Sequence, residues 1–399
     1  MIGGTAQAGS LPSDTGKGLF SHPVWLVGFR PFFTLAFVSG ALLPLLWALA
    51  FAGTLSWPAG GLNAQAWHAH EMFYGFGWAV LGGFLLTASK NWVKIRGMHG
   101  GALAVAVLLW LVERGAIFLT QPLLRTVALN VFTLYLVSYL VWTLVRYRKQ
   151  DFFQDNWFFV IALPLFLAAK NLLLVPETYF LGTTMTLGLF RVAFAVMFER
   201  TMPQFMQNAM GVKLPRRAWL DLPIKSLILL SVFEHLMPAS VGAALMGLAA
   251  LLLLVRFFTW HPIIGMRRFE IGIMYVGYLG LVVNLALTAL KSAGLFYGIG
   301  TLPTHAFTFL CMGLVIPAMF IRISQGHTGR KLLFTTSDRL ALGAMGAATF
   351  FRLVATQLWP AQYSLWVSLA AIGWSLCFIV IGWRVIPFMW KARIDGKVH

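Results

Sequence analysis

The stretch ASVGAALMGLAALLLLVRFFT, residues 239–259, carries one charge, Arg256, close to its end, and is apolar on every side. At 1.5 Å per residue it is long enough, as an α-helix, to cross a hydrocarbon core of about 30 Å. An open sheet could not satisfy its backbone groups in lipid, so a helix is the only reading for such a run. Working outward, comparable runs fall at 29–54, 67–89, 101–119, 123–146, 157–175, 179–198, 220–238, 269–290, 303–323, 337–358 and 362–388, separated by proline, glycine and clusters of charge. The expected fold is therefore an all-α integral membrane protein: a single bundle of twelve transmembrane helices over 23–390, with a polar tail at 1–22 and a basic tail at 391–399. No cleavable signal peptide is visible, because the polar start leads straight into a long apolar run.

Composition agrees. Of 399 residues 59% are hydrophobic and 11% charged, against roughly 45–50% and about 25% in soluble domains. That excludes a soluble enzyme, a disordered chain and a nucleic-acid-binding domain, although the formal net charge is +18. The two cysteines, Cys311 and Cys377, both lie in apolar runs, which leaves neither a disulfide framework nor a zinc ribbon.

The basic residues show why the charge is positive. All but Arg125, Lys291, Arg114, Lys170, Arg191 and Arg352 of the 30 Lys and Arg sit in the tails, in alternate loops or at the helix ends that flank them. Such alternation follows the positive-inside rule and predicts two cytoplasmic termini and an even number of crossings. With that orientation His68, His70, His235 and His305 share one outer layer, while His99, His261 and His327 fall on the cytoplasmic side with His22 and His399 in the tails.

The sharpest local signal is Trp67-His68-Ala69-His70-Glu71-Met72, at the start of the second segment. Imidazole is the commonest metal ligand, and ionisable groups at membrane depth are costly unless paired or used. On a helix, residues two apart point about 200° from each other. His68 and His70 would thus serve two sites on opposite sides, with His68 sharing a face with Glu71 and Met72. The stretch is no zincin motif, since Tyr74 stands where the second histidine is needed. His305 opens the tenth segment, and Glu234-His235 closes the seventh. Interfacial hydrogen bonding is the bland reading for all of these histidines.

Glu113, Arg114, Lys170, Arg191 and Arg352 lie inside apolar runs. One glutamate cannot neutralise four cations, so an anionic group is expected at their depth; snorkelling is the alternative. At the cytoplasmic side stand Gly28-Phe29-Arg30-Pro31-Phe32-Phe33, Arg200-Thr201-Met202-Pro203 and Gly326-His327-Thr328-Gly329-Arg330. The last lacks the Lys-Ser/Thr of a phosphate-binding loop and reads as a turn. Interfacial belts and lipid-facing rings account for most of the 16 Trp and 34 Phe.

These blocks, with Gly83-Phe84-Leu85-Leu86-Thr87-Ala88, Asn91-Trp92 and Met202-Pro203, resemble the NnrS family of bacterial haem- and copper-containing membrane proteins, linked to nitric oxide metabolism and nitrosative stress. They run from about 28 to 330; the last two helices match only in hydropathy. More distantly, the chain is similar to subunit I of haem–copper oxidases and nitric oxide reductases, which also have twelve helices, cytoplasmic termini and haem ligands from the outer parts of helices 2 and 10. Position for position, only His68 or His70 and His305 carry over, and no His-His pair occurs. Two departures stand out. Tyr275 replaces a histidine that family members often carry before Gly277-Tyr278, and Glu113 stands where a small residue is usual.

The resemblance implies a multi-pass protein of the bacterial inner membrane, with haem and copper as cofactors and nitric oxide as diffusible ligand. Electrons would come from an external donor such as quinol or a cytochrome, since no Cys-x-x-Cys-His and no dinucleotide fingerprint is present. The candidate metal ligands are His68, His70, His305 and His235. Arg30, Arg114, Arg191, Arg352 and Met72 are the candidates for holding a cofactor, and Glu71 and Glu113 for moving protons. His327, Arg330, Arg200 and Tyr275 are further candidates at the cytoplasmic side. Three functions follow: an oxidoreductase that binds or reduces nitric oxide, a non-enzymatic haem or copper sensor or assembly factor, and a secondary transporter of an anion using Arg114, Arg191 and Arg352.

Overall fold

The computed structural model describes residues 18–56 and 62–397. Most of the expected N-terminal tail and His399 lie outside the described residues. Among the described residues the chain is helical, without strands. Eleven helices are long and apolar enough to cross a membrane: α1 (Phe29–Phe51), α2 (Ala64–Trp92), α3 (Gly100–Phe118), α4 (Pro122–Arg146), α5 (Gln154–Leu174), α6 (Pro176–Met210), α8 (Ala239–Thr259), α9 (Phe269–Ser292), α10 (Leu302–Gly326), α11 (Thr336–Leu358) and α12 (Pro360–Met389). Between α6 and α8 stands a shorter element, α7, an α-helix over Ala218–Leu230 continued by a 3-10 stretch, Ser231–Leu236. Of the twelve expected spans eleven are thus found among the described residues, and the seventh, expected at 220–238, is this shorter element. The α-helical part of α7 has 13 residues, about 20 Å of rise. The 3-10 continuation is interrupted by the non-helical backbone of Phe233.

Local chemistry places the ends. Asn63 caps α2 by accepting from the Ala66 amide, and Thr335 with Asp338 forms a reciprocal capping box on α11. Helix α6 runs well beyond its expected end at 198, through Pro203 to Met210. It stops only at Gly211, whose φ of 69° suits a glycine cap.

Consecutive helices from α3 to α12 are neighbours, and α12 returns to α1, which in turn packs on α2. The most enclosed spans are α2, α10 and α6, with 78%, 78% and 72% of their apolar windows buried. They stand every fourth helix along the chain and form the inner walls of the bundle. One close crossing fixes α5 against α6: a Cβ at Gly182 would lie 2.1 Å from the Leu173 backbone nitrogen, so only glycine fits.

Three stretches widen into π-helix: Glu71–Gly77 in α2, Ala306–Gly313 in α10 and Phe351–Ala355 in α11. Such bulges are rare and frequently mark functional sites. Two begin immediately after His70 and His305, and the third contains Arg352.

Candidate functional site

The three widened stretches lie toward one end of the bundle, where α2 and α10 begin and α1, α3 and α5 finish, and His68, His305 and Arg352 come together there. His70 is fully buried, and its Nδ1 lies 2.8 Å from Glu71 Oε1. Its Nε2 is buried without a hydrogen-bond partner. A carboxylate on one imidazole nitrogen fixes the tautomer and aims the other nitrogen outward. The expectation that Glu71 would share the face of His68 is corrected, for its carboxylate serves His70.

Beyond Glu71 the polar chain continues through buried groups. Arg114 Nη1 lies 3.3 Å from Glu71 and its Nη2 3.1 Å from Glu113. Glu113 accepts from Lys170 Nζ at 2.7 Å and from both the amide and the hydroxyl of Thr133. Room for this chain comes from Gly75, where a Cβ would lie 2.4 Å from Arg114 Nη1 and 2.9 Å from Glu71 Oε2. Trp110 donates to the Gly75 carbonyl, and Tyr74 reaches Thr186 and the Phe166 carbonyl. This corrects the expected charge imbalance. Arg191 also has a carboxylate, Glu234 at 3.1 Å, together with Asn284 and Thr288. Of the four cations only Arg352 has no carboxylate within ion-pair distance among the described residues.

His68 turns the other way, as the helical spacing predicts. Its ring stacks on Trp47 of α1 at 4.3 Å, and its Nδ1 is buried without a partner. On that side it comes within electrostatic reach of both His305 and Arg352. His305 donates from Nδ1 to the Thr301 carbonyl at 2.9 Å. Arg352 Nη2 lies 3.2 Å from His305 Nδ1 and 3.1 Å from Nε2. Near-equal distances put the guanidinium over the ring. The Tyr363 ring lies on the guanidinium, 5.6 Å from its central carbon.

The remaining candidates do not join this layer. His235 is exposed at the end of α7, although its neighbour Glu234 holds Arg191. Met72 is half-buried on the first turn of the α2 π-stretch. Arg30 is spent on the carbonyls of Met389 and Lys391, closing the C-terminal end of α12. Tyr275 donates to the Trp260 carbonyl at the far end of the bundle, so its place does not border the histidine layer.

That far end carries its own ionic network. Arg200 binds Asp155 and Asn156, Lys225 bridges Asp155 and Glu199, and Arg256 meets Asp221 and the Tyr278 hydroxyl. His327 packs on Phe29 in the turn after α10, where Gly329 takes a φ of 78°. Burial, then the nearby charges of Lys90, Arg393 and Arg30, pushes its pKa down to about 4. Arg330 donates to the Thr328 carbonyl and covers Phe388.

Sequence reasoning missed the π-stretches, the Trp47 platform, Tyr363 and the carboxylate pairing. Only the His70-Glu71 adjacency signalled any of them.

A bundle of long apolar helices with buried, carboxylate-oriented and unpartnered imidazoles at one end defines a polytopic helical membrane protein with a polar interior site. Residues 23–393 match the family model described as NnrS protein. The chain therefore belongs to the NnrS family. No curated protein matches it.

Proposed function

We propose that the chain is a haem-binding protein of the bacterial inner membrane that binds nitric oxide in nitric oxide metabolism or nitrosative-stress defence, with copper as a second metal. The observation that carries this reading is His70: fully buried, held at Nδ1 by Glu71, with Nε2 facing no partner. A buried polar atom left unsatisfied asks for an explanation, and a metal is the partner this geometry suits. Among the described residues no group of three or more His, Cys, Asp or Glu could hold a metal ion. The donor set thus suits a metal that brings most of its own ligands, as haem iron does, with His70 as protein ligand. His68 and His305 are the pair for copper.

Haem iron held by His70 would supply binding of a diatomic ligand and a one-electron couple. The chain's own residues hold the rest. Glu71 keeps a proton on His70 Nδ1, and Arg114 ties Glu71 to Glu113. Glu71, Arg114, Glu113 and Lys170 balance two negative against two positive charges, so the surroundings of His70 gain no net charge from them. Proton movement between Glu71 and Glu113 would serve a reductive version of the activity, with electrons from quinol or a cytochrome. The anion-transport reading loses Arg114 and Arg191, whose charges are already met by carboxylates. The basic-residue alternation supports both termini in the cytoplasm, with α7 completing a twelfth passage.

Purified protein in detergent tests the proposal through oxidised, dithionite-reduced and nitric-oxide-treated visible spectra, with metal content from the same sample. The expected result is a Soret band that shifts with nitric oxide and is lost in His70→Ala. Consumption of nitric oxide with an electron donor would then separate the oxidoreductase from a sensor. Colourless, metal-free protein after haem-supplemented expression would overturn the haem reading and return anion transport to first place.

A further inference from the structure

Between α2, α6 and α10, the three inner helices, two adjoining hollows lead from the His327 end into the middle of the bundle. The deep one, a narrow space of about 50 Å³, is bordered by phenylalanines and methionines such as Phe190, Met312 and Phe194. The mouth, about 390 Å³, is bordered by Arg200, Arg322, His327, Asn91 and Gln204. Phe33, Phe84, Met319 and Ile323 border both, so the two adjoin. Along α2 they extend from Gly77 to Asn91, about 20 Å of helical rise.

The mouth is cationic. Arg322 donates to the Glu270 carbonyl, has no carboxylate within ion-pair distance among the described residues, and keeps a buried Nε without a partner. Arg200 is paired with Asp155, but its Nε is also buried and unpartnered. Lys90, Arg30 and Arg393 stand around His327 behind them, and among the described residues only Arg393 of these has an acidic partner, Asp395. A narrow apolar hollow at one end, with unmet guanidinium donors at the other, matches one shape of molecule. We propose that this cavity holds a single-chain anionic amphiphile, its chain between α2, α6 and α10 and its carboxylate or phosphate head on Arg322 and Arg200. Length and narrowness favour a chain, and the charge favours an anion. The occupant would keep water out of a shaft whose deep end touches Gly77 and Met312, the last turns of two π-stretches. This inference does not rest on the haem reading and stands or falls separately.

Native mass spectrometry of delipidated full-length protein in a neutral detergent tests it, with palmitate, lysophosphatidic acid and monopalmitoylglycerol as probes. One equivalent of an anionic probe is expected to bind and raise the melting temperature, at least tenfold tighter than the neutral glyceride. Whichever of palmitate and lysophosphatidic acid binds tighter identifies the head as carboxylate or phosphate. Arg322→Gln is expected to weaken the anionic probe tenfold or more, with Arg322→Lys restoring most of it. Gln204→Glu, at an exposed position on the rim, should weaken it without touching the fold. Equal binding of the neutral and anionic chains would overturn the proposal, as would unchanged anion affinity in both Arg322→Gln and Gln204→Glu.

Discussion

Glu113 offers the cleanest perturbation, because its carboxylate does four things at a fully buried position. It is fully buried, meets Lys170 at 2.7 Å and Arg114 at 3.1 Å, and accepts from the amide and hydroxyl of Thr133. Glu113→Gln keeps the shape and removes the charge. Of the four charges then present only three remain, and Glu71 must face both Arg114 and Lys170. Breaking one side of a buried ion pair costs about 3–5 kcal/mol, because it strands the other charge. At roughly 2 °C per kcal/mol for a large domain, the unfolding midpoint in detergent should fall by about 6–10 °C. The second variant distinguishes charge from shape. Lys170→Met alone should cost a similar amount, whereas Glu113→Gln with Lys170→Met should recover much of the loss, giving a coupling of about 2 kcal/mol or more. A single variant within 1 kcal/mol of the parent, or strictly additive losses in the double, would refute the charge accounting.

Three further outcomes are expected. Gly182→Ala should destabilise by about 1–3 kcal/mol through overpacking against the Leu173 backbone, read as a lower melting temperature with unchanged spectra. His327, outside the spans, has its pKa lowered to about 4 by burial and by Lys90, Arg393 and Arg30. The unfolded chain therefore binds the extra proton first, so stability is full above about pH 6.5, falls by about 3 kcal/mol toward pH 4, and His327→Asn should flatten that slope. Tyr275→His should leave the metal-to-protein ratio unchanged, because Tyr275 sits against Trp260 at the end away from the histidine layer; a raised ratio would show that the position can build a site.

Much of this architecture was legible in the chain, and the reason is physical. Hydropathy reports burial in lipid directly, so the spans are readable wherever an apolar run is long. The method fails at α7, where Ser231, Glu234 and His235 close a segment whose helical part is too short. It fails again at α6, where Arg200 and Pro203 look like an end. They are instead carried on a continuous helix, where Asn156 and Asp155 take the two terminal nitrogens of the guanidinium. The site was half legible. The 200° between His68 and His70 placed them on separate sides, but that period assumes an α-helix, and the helix widens from Glu71 onward. Pairing across helices has no local signature: Lys170 and Glu113 are 57 residues apart in the chain, and nothing near either one names the other.

The two ends of the bundle solve the same electrostatic problem differently, and the difference bears on function. At the far end Arg200, Lys225 and Arg256 are matched in charge by Asp155, Glu199 and Asp221, and what stays open there is the Nε of Arg200 and of the neighbouring Arg322 at the cavity mouth. At the histidine end the matching is complete around Glu71 and Glu113 and around Arg191, and it stops at Arg352. A guanidinium held by Thr301, the face of a neutral imidazole and the Tyr363 ring keeps an unneutralised charge, which is expensive in a low-dielectric interior unless an anion or an opening to water meets it. Arg352 lies in a π-stretch, His305 precedes another, and His68 faces both from a helix whose own π-stretch starts three residues later. Widened turns are tolerated at a cost in backbone geometry, and three at one depth around one unpaired cation are hard to explain by packing alone. Arg352→Leu should therefore cost little stability, about 1 kcal/mol or less, since it deletes an uncompensated buried charge, and yet change the nitric-oxide-treated spectrum. A loss of 3 kcal/mol or more with an unaltered spectrum would make Arg352 a structural strut and remove it from the site.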